Sequence, residues 1–147
     1  MSEDLYPDNA RQLISAILDR LIPANEDLSS AGQMGLEDEV LRLARKQQRF
    51  HRRFTGALNK LYSTNPNFTS ESAEFQDEIL RSFETDHPSS FRTLLDITYI
   101  VYYKDSRVHK RLGWENRPPQ PGGYPMAPWD ESVLKNIRNR KPFWRKV

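Results

Sequence analysis

Leu36, Val40, Leu43, Gln47, Phe50, Phe54, Ala57 and Leu61 follow one another at alternating steps of four and three residues. That rhythm holds side chains on one face of a 3.6-residue helix, and a strand, whose faces alternate at every residue, cannot reproduce it. Only Gln47 interrupts the apolar seam. Read as unbroken, the segment predicts a helix about 39 Å long at ~1.5 Å per residue, long enough to be the spine of a domain. Asn65-Pro66-Asn67 ends it.

The same period recurs on both sides, and strand signals are nearly missing. Asp8 is placed to cap a first helix with Leu13, Ile14, Ile17, Leu18 and Leu21 on one face, stopped by Pro23. Residues 24–35, rich in Asn, Asp, Ser and Gly, read as a loop with one turn near Ala31. A third helix over 72–83 puts Phe75, Ile79, Leu80 and Phe83 on its buried side, with Glu71 and Glu74 suited to its positive N-terminal end. Asp86 as cap and Pro88 in the first turn start a fourth helix that runs to about Tyr103. From Phe91 to Tyr102 it is apolar almost all round. A helix without a polar face is buried on most sides, so it belongs at the centre of the bundle or between the bundle and a partner. Asp105 then caps a short helix over 106–112, and Gly113 is its left-handed terminator. The fold class expected is all-α, a bundle of about five to six helices.

Beyond the bundle the composition changes. Residues 117–128 hold five prolines and two glycines, which exclude regular structure and favour polyproline-like extension. Asp130 caps a last short helix to about Arg138, and 141–147 is basic and aromatic. The organisation expected is a helical bundle over 1–115 and an extended arm with one short helix over 116–147, in one domain. A chain of 147 residues suits that. All three tryptophans, Trp114, Trp129 and Trp144, fall in the last third. An extended segment cannot bury its own rings, so it lays them on the bundle or on another protein. Trp, Tyr and Arg are the residues enriched in interface hot spots. Clasping a partner is the preferred reading, with Tyr102, Tyr103, Trp114, Arg117, Tyr124, Trp129, Phe143 and Trp144 as the interface residues.

The inventory for chemistry is thin. With no cysteine, disulfides, thiolate metal sites and Cys nucleophiles are excluded. His51, His87 and His109 do not pair on one helix face, as a helical two-histidine metal site requires. Asp105 lies four residues before His109 but reads as a cap. Glu37, Asp38 and Glu39 are adjacent and radiate in different directions, as first-turn acids do. There is no phosphate-binding glycine loop of the nucleotide-binding kinds. Catalytic, cofactor-binding and metal-ligating residues are therefore expected to be none. No apolar run approaches the roughly 20 residues of a membrane span. The acidic start, residues 1–13, is unlike a secretory leader, so the chain is expected in the cytoplasm unless exported with a partner.

A net charge of +2 argues against a global nucleic-acid footprint. The run at 45–53, RKQQRFHRR, with Arg42, is the one local exception. Along one helix it would offer clustered cations to phosphates. A small helical adaptor or nucleic-acid-binding module using this Arg42–Arg53 face is the alternative function; the preferred reading is a solvated or acid-facing helix side without nucleic acid.

Several segments in order resemble one family. They are Leu21-Ile22-Pro23-Ala24-Asn25-Glu26-Asp27, Ser30-Ala31-Gly32-Gln33-Met34-Gly35-Leu36, Phe91 to Leu95, Thr98-Tyr99, and Tyr102-Tyr103. After them come Asp105-Ser106-Arg107-Val108, Leu112-Gly113-Trp114 and the tail Arg117-Pro118-Pro119-Gln120-Pro121-Gly122-Gly123-Tyr124. Together they resemble the gluconate 2-dehydrogenase subunit 3 family, small subunits of FAD-dependent sugar and sugar-acid dehydrogenase complexes. The resemblance implies an all-helical, non-catalytic accessory subunit that binds and stabilises or matures a flavoprotein of the glucose-methanol-choline type. FAD and the hydride chemistry then sit in that partner, and a cytochrome c often accepts the electrons. Many members carry a twin-arginine leader; Arg52-Arg53 lie mid-helix and cannot serve as one. The family supplies no catalytic residue.

Overall fold

The computed structural model describes residues 6–7, 9–114, 122–123 and 125–141. Those residues are helical with no strand, as the periodicity demands. Contacts divide the chain into two compact units, Met1–Asn116 and Arg117–Val147. Among the described residues the first holds six α-helices: α1 (Ala10–Leu21), α2 (Glu37–Arg45), α3 (Gln48–Thr64), α4 (Ala73–Asp86), α5 (Pro88–Lys104) and α6 (Ser106–Arg111). The second contains a 3₁₀ turn, Glu131–Leu134, running into α7 (Lys135–Arg138). Asp130 caps that turn, its carboxylate accepting from the Ser132 amide.

α5 is the hub, touching α1, α2, α3, α4 and α6. It buries Leu94, Ile97, Thr98, Val101 and Tyr102. Around them close Leu13, Ile17 and Leu18 of α1, Val40 of α2, Phe54, Leu58 and Leu61 of α3, and Leu80 and Phe83 of α4. Two buried polar side chains find partners within reach: Thr98 Oγ1 donates to the Leu94 carbonyl at 2.8 Å, and Gln76 Nε2 to the Phe68 carbonyl at 2.8 Å.

The expected long spine is two helices. α2 ends in a tight turn, the Lys46 amide on the Leu43 carbonyl, and Gln47 is extended at φ −131°, ψ 119°. The bend falls at the one polar member of the seam, the residue that loses least by leaving the core. Both pieces thereby pack on α5 and on each other, which a straight rod of that length could not do around a core this small.

Two further expectations are corrected. Phe75 is 48% exposed, and Gln76 takes its place on the buried face of α4 with Ile79, Leu80 and Phe83. Those four keep a 3.6 period, whereas Phe75 sits about 100° off it. Asp86 is the last residue of α4, accepting a hydrogen bond from the Ser82 hydroxyl; His87 closes α4 and opens α5, with no side-chain cap. Asp8 lies outside the described residues, and α1 starts behind Asn9 without a side-chain cap.

The loop before α2 is more structured than its composition suggests. Ala31 and Met34 are buried, and the Ala31 amide donates to the Ile22 carbonyl at 3.0 Å. Gly32 lies so close to α1 that a Cβ there would meet the Ser15 carbonyl oxygen at 2.2 Å. Asp19 Oδ1 accepts from the Gln33 amide at 3.1 Å, pinning the loop to α1.

Candidate interaction surface

Because α5 is apolar nearly all round, burying one face leaves another on the surface. Tyr99, Ile100 and Tyr103 form that face, one helical step apart along α5; Ile100 is 51% exposed and Tyr103 53%. The rings of Tyr99 and Tyr103 lie 6.2 Å apart, and Tyr103 meets the edge of Tyr102 at 5.4 Å. Tyr102 itself is 9% exposed and belongs to the core. Its expected place at an interface is corrected: it backs Tyr103 from inside.

The chain turns sharply at Asp105, which caps α6 by accepting from the Arg107 amide at 2.8 Å. Such a cap is worth about 1 kcal/mol. α6 is closed by a left-handed Gly113 at φ 67°, with the Gly113 amide on the Lys110 carbonyl and the Trp114 amide on the His109 carbonyl. This double-bonded terminator needs glycine at the left-handed position. It also folds Trp114 back over His109, with ring centroids 5.0 Å apart. His109 Nε2 in turn donates to the Tyr103 carbonyl at 2.6 Å. A continuous surface therefore runs from Tyr99 through Tyr103 and His109 to Trp114, flanked by exposed Ile100 and Leu112.

This corner is held from several sides. Arg107 grips both oxygens of Asp105 at 2.8 Å and donates to the Met34 carbonyl at 3.0 Å. The guanidinium beside Asp105 holds its carboxyl below the usual range. Arg111 reaches Asp27 at 2.6 Å, so α6 is tied to the loop before α2 at two points. Glu39 of α2 receives Arg42 and, at 3.0 Å, Lys104 at the end of α5. Those hydrogen bonds, Arg42's first, lower the Glu39 carboxyl to about 2. Exposed ion pairs of this kind contribute little stability each, but they fix the end of α5 relative to α2.

Of the other expected interface residues, Trp114 is 58% and Trp129 71% exposed. Arg117, Tyr124, Phe143 and Trp144 lie outside the described residues. Sequence reading missed Tyr99, Ile100 and Leu112 as surface groups. The signal was present: a bundle this small cannot cover every side of a central helix that has no polar face.

The candidates for chemistry are accounted for individually. His51 Nδ1 lies 3.0 Å from the Tyr6 hydroxyl, His87 packs on Phe83, and Asp105 and His109 serve the corner just described. Among the described residues no three His, Asp or Glu side chains converge to hold a metal ion, and no helix is long and apolar enough to cross a membrane. The bend at Gln47 divides the basic run, with Arg42 and Arg45 on α2 and Arg49, Arg52 and Arg53 on α3. Arg42 is engaged by Glu39, and Arg45 lies over the Tyr6 ring at 5.6 Å. Comparison with protein-family models, curated proteins and solved structures gives no match.

Proposed function

We propose that this chain is a non-catalytic accessory subunit that binds and stabilises the FAD-dependent, glucose-methanol-choline-type catalytic subunit of a sugar or sugar-acid dehydrogenase. The observation that carries the reading is the exposed aromatic corner at Tyr99, Ile100, Tyr103 and Trp114. A contiguous apolar patch on a small bundle marks a binding surface. Its rings stand on rigid elements, so docking freezes little side-chain freedom. The segments named in the resemblance supply this corner and its supports: Asp105 to Val108 and Leu112 to Trp114 form it, and the loop over 25–36 receives Arg107 and Arg111. FAD and the hydride chemistry belong to the partner.

The test is co-expression with a flavoprotein of that type from the same genome. Size-exclusion chromatography is then read for both chains and for flavin absorbance. The expected result is co-elution at fixed stoichiometry, weakened at least tenfold by Tyr103→Ala combined with Trp114→Ala. Separate elution, or flavin and dehydrogenase activity carried by this chain alone, would overturn the assignment.

A further inference from the structure

Across α3 lies a surface of different character. Arg52, Arg53 and Lys60 line a groove of about 480 Å³ whose floor is Gly56 and Ala57. The opposite wall is the start of α5, contributing Ser89, Ser90 and Thr93. Three cations line one concavity with Ser89, Ser90 and Thr93, the last donating its hydroxyl to the Ser89 carbonyl at 3.0 Å, and no carboxylate lines it. Among the described residues Arg53 and Lys60 take part in no ion pair. Several other cations of the bundle are matched, Arg11 with Asp38, Arg42 and Lys104 with Glu39, Arg92 with Asp96 and Arg111 with Asp27, and those pairs lie outside the groove. The floor is open because Gly56 carries no side chain, and a Cβ there would have nothing within 4 Å. The wall adds no repulsion, since α5 has no acidic residue in its first turn.

The donors select among anions. Arg53 and Lys60 are seven residues apart on α3, about 10 Å along the axis, so a ligand reaching both needs oxygens pointing in several directions. A carboxylate offers one charge and two coplanar oxygens. A phosphate monoester carries about −1.5 to −2 charges at neutral pH and three terminal oxygens. It can take a guanidinium fork, an ammonium and a hydroxyl together. No aromatic ring lines the groove, so nothing there would stack a nucleobase. The size falls within the roughly 300–1,000 Å³ of small-molecule sites. We propose that this groove binds a small phosphate monoester with a polar body, a function separate from the aromatic corner.

The experiment is an amide-resolved NMR titration of the full chain at constant ionic strength. The probes are glycerol 2-phosphate, inorganic phosphate and dimethyl phosphate, with sodium chloride as the reference anion. Saturable shifts are expected at Gly56, Ser89 and Ser90 with glycerol 2-phosphate. Affinity should fall at least tenfold in an Arg53→Gln, Lys60→Gln double variant. Both side chains are exposed, so its spectrum elsewhere should be unchanged. Non-saturating shifts, or undiminished affinity in the double variant, would overturn the site. Equal affinity for inorganic phosphate would make the bare anion the ligand and overturn the monoester assignment. Equal affinity for dimethyl phosphate would overturn it too, turning the groove into a track for a phosphodiester backbone.

Discussion

Gly32→Ala should be among the most damaging single-methyl additions in this protein, and its cost can be worked from the geometry. The new Cβ would lie 2.2 Å from the Ser15 carbonyl oxygen and 2.6 Å from Asp19 Oδ1. The Ser15 carbonyl is helix backbone and cannot withdraw without opening α1. Asp19 can swing away, but its Oδ1 then loses the Gln33 amide it holds at 3.1 Å. Overpacking of this kind costs about 1–3 kcal/mol, and the lost hydrogen bond adds about 0.5–1.5 kcal/mol. For a domain of this size, a loss of about 1.5–4.5 kcal/mol lowers the melting temperature by roughly 6–18 °C. Gly56→Ala is the matched control. It lies within α3 with nothing within 4 Å of the added carbon, so relief of glycine's helix penalty should stabilise by about 0.5–1 kcal/mol. Thermal melts of the two variants by circular dichroism should shift in opposite directions. If Gly32→Ala melted with the parent, the close approach of the loop to α1 would be wrong.

Three further outcomes follow from the packing and the charges. Ile97→Ala, at a 1% exposed position, should cost about 2–5 kcal/mol in chemical denaturation. Ile100→Ala, at 51% exposure, should stay within about 1 kcal/mol, and equal losses would contradict the orientation given to α5. The Glu39 carboxyl is lowered in the folded state from 4.5 to about 2, so it stabilises above pH about 4.5 and loses that contribution as pH falls towards 2. With the side chain 30% exposed, solvent screening holds the effect to about 1 kcal/mol. Melting of Glu39→Gln should therefore trail the parent at pH 7, close on it below about pH 4.5 and meet it only below about pH 2; a gap that widened in acid would refute this. Truncation after Asn116, the end of the first compact unit, should leave cooperative melting of α1–α6 intact. A collapse of helicity would mean that the bundle depends on the removed segment.

Much of the fold was legible in the chain because its signals are local. Leu13, Ile14, Ile17 and Leu18 share one face of α1 by spacing alone, and all four are buried. Asp105 and Gly113 bound α6 through hydrogen bonds to residues at most five positions away. The candidate site was only half legible. Tyr103 and Trp114 were named from residue type and are exposed, while Tyr102 was named on the same grounds and is buried. Composition cannot tell two adjacent tyrosines apart; the rotation of α5 against α2, α3 and α4 does.

What the sequence determined by itself is the all-helical class, the approximate helix positions, the caps at Asp105 and Asp130 and the terminator at Gly113. What only the tertiary structure decided is every choice between near-equal local alternatives. Gln47 breaks the seam because two short helices can both pack on α5 where one rod cannot. Gln76 displaces Phe75 because the Phe68 carbonyl, eight residues away, is there to receive its amide. Gly32 must be glycine because α1 passes beneath it. The aromatic corner likewise exists because the bundle is too small to cover all sides of its central helix. In each case the deciding energy comes from a group distant in sequence, so no window along the chain contains it.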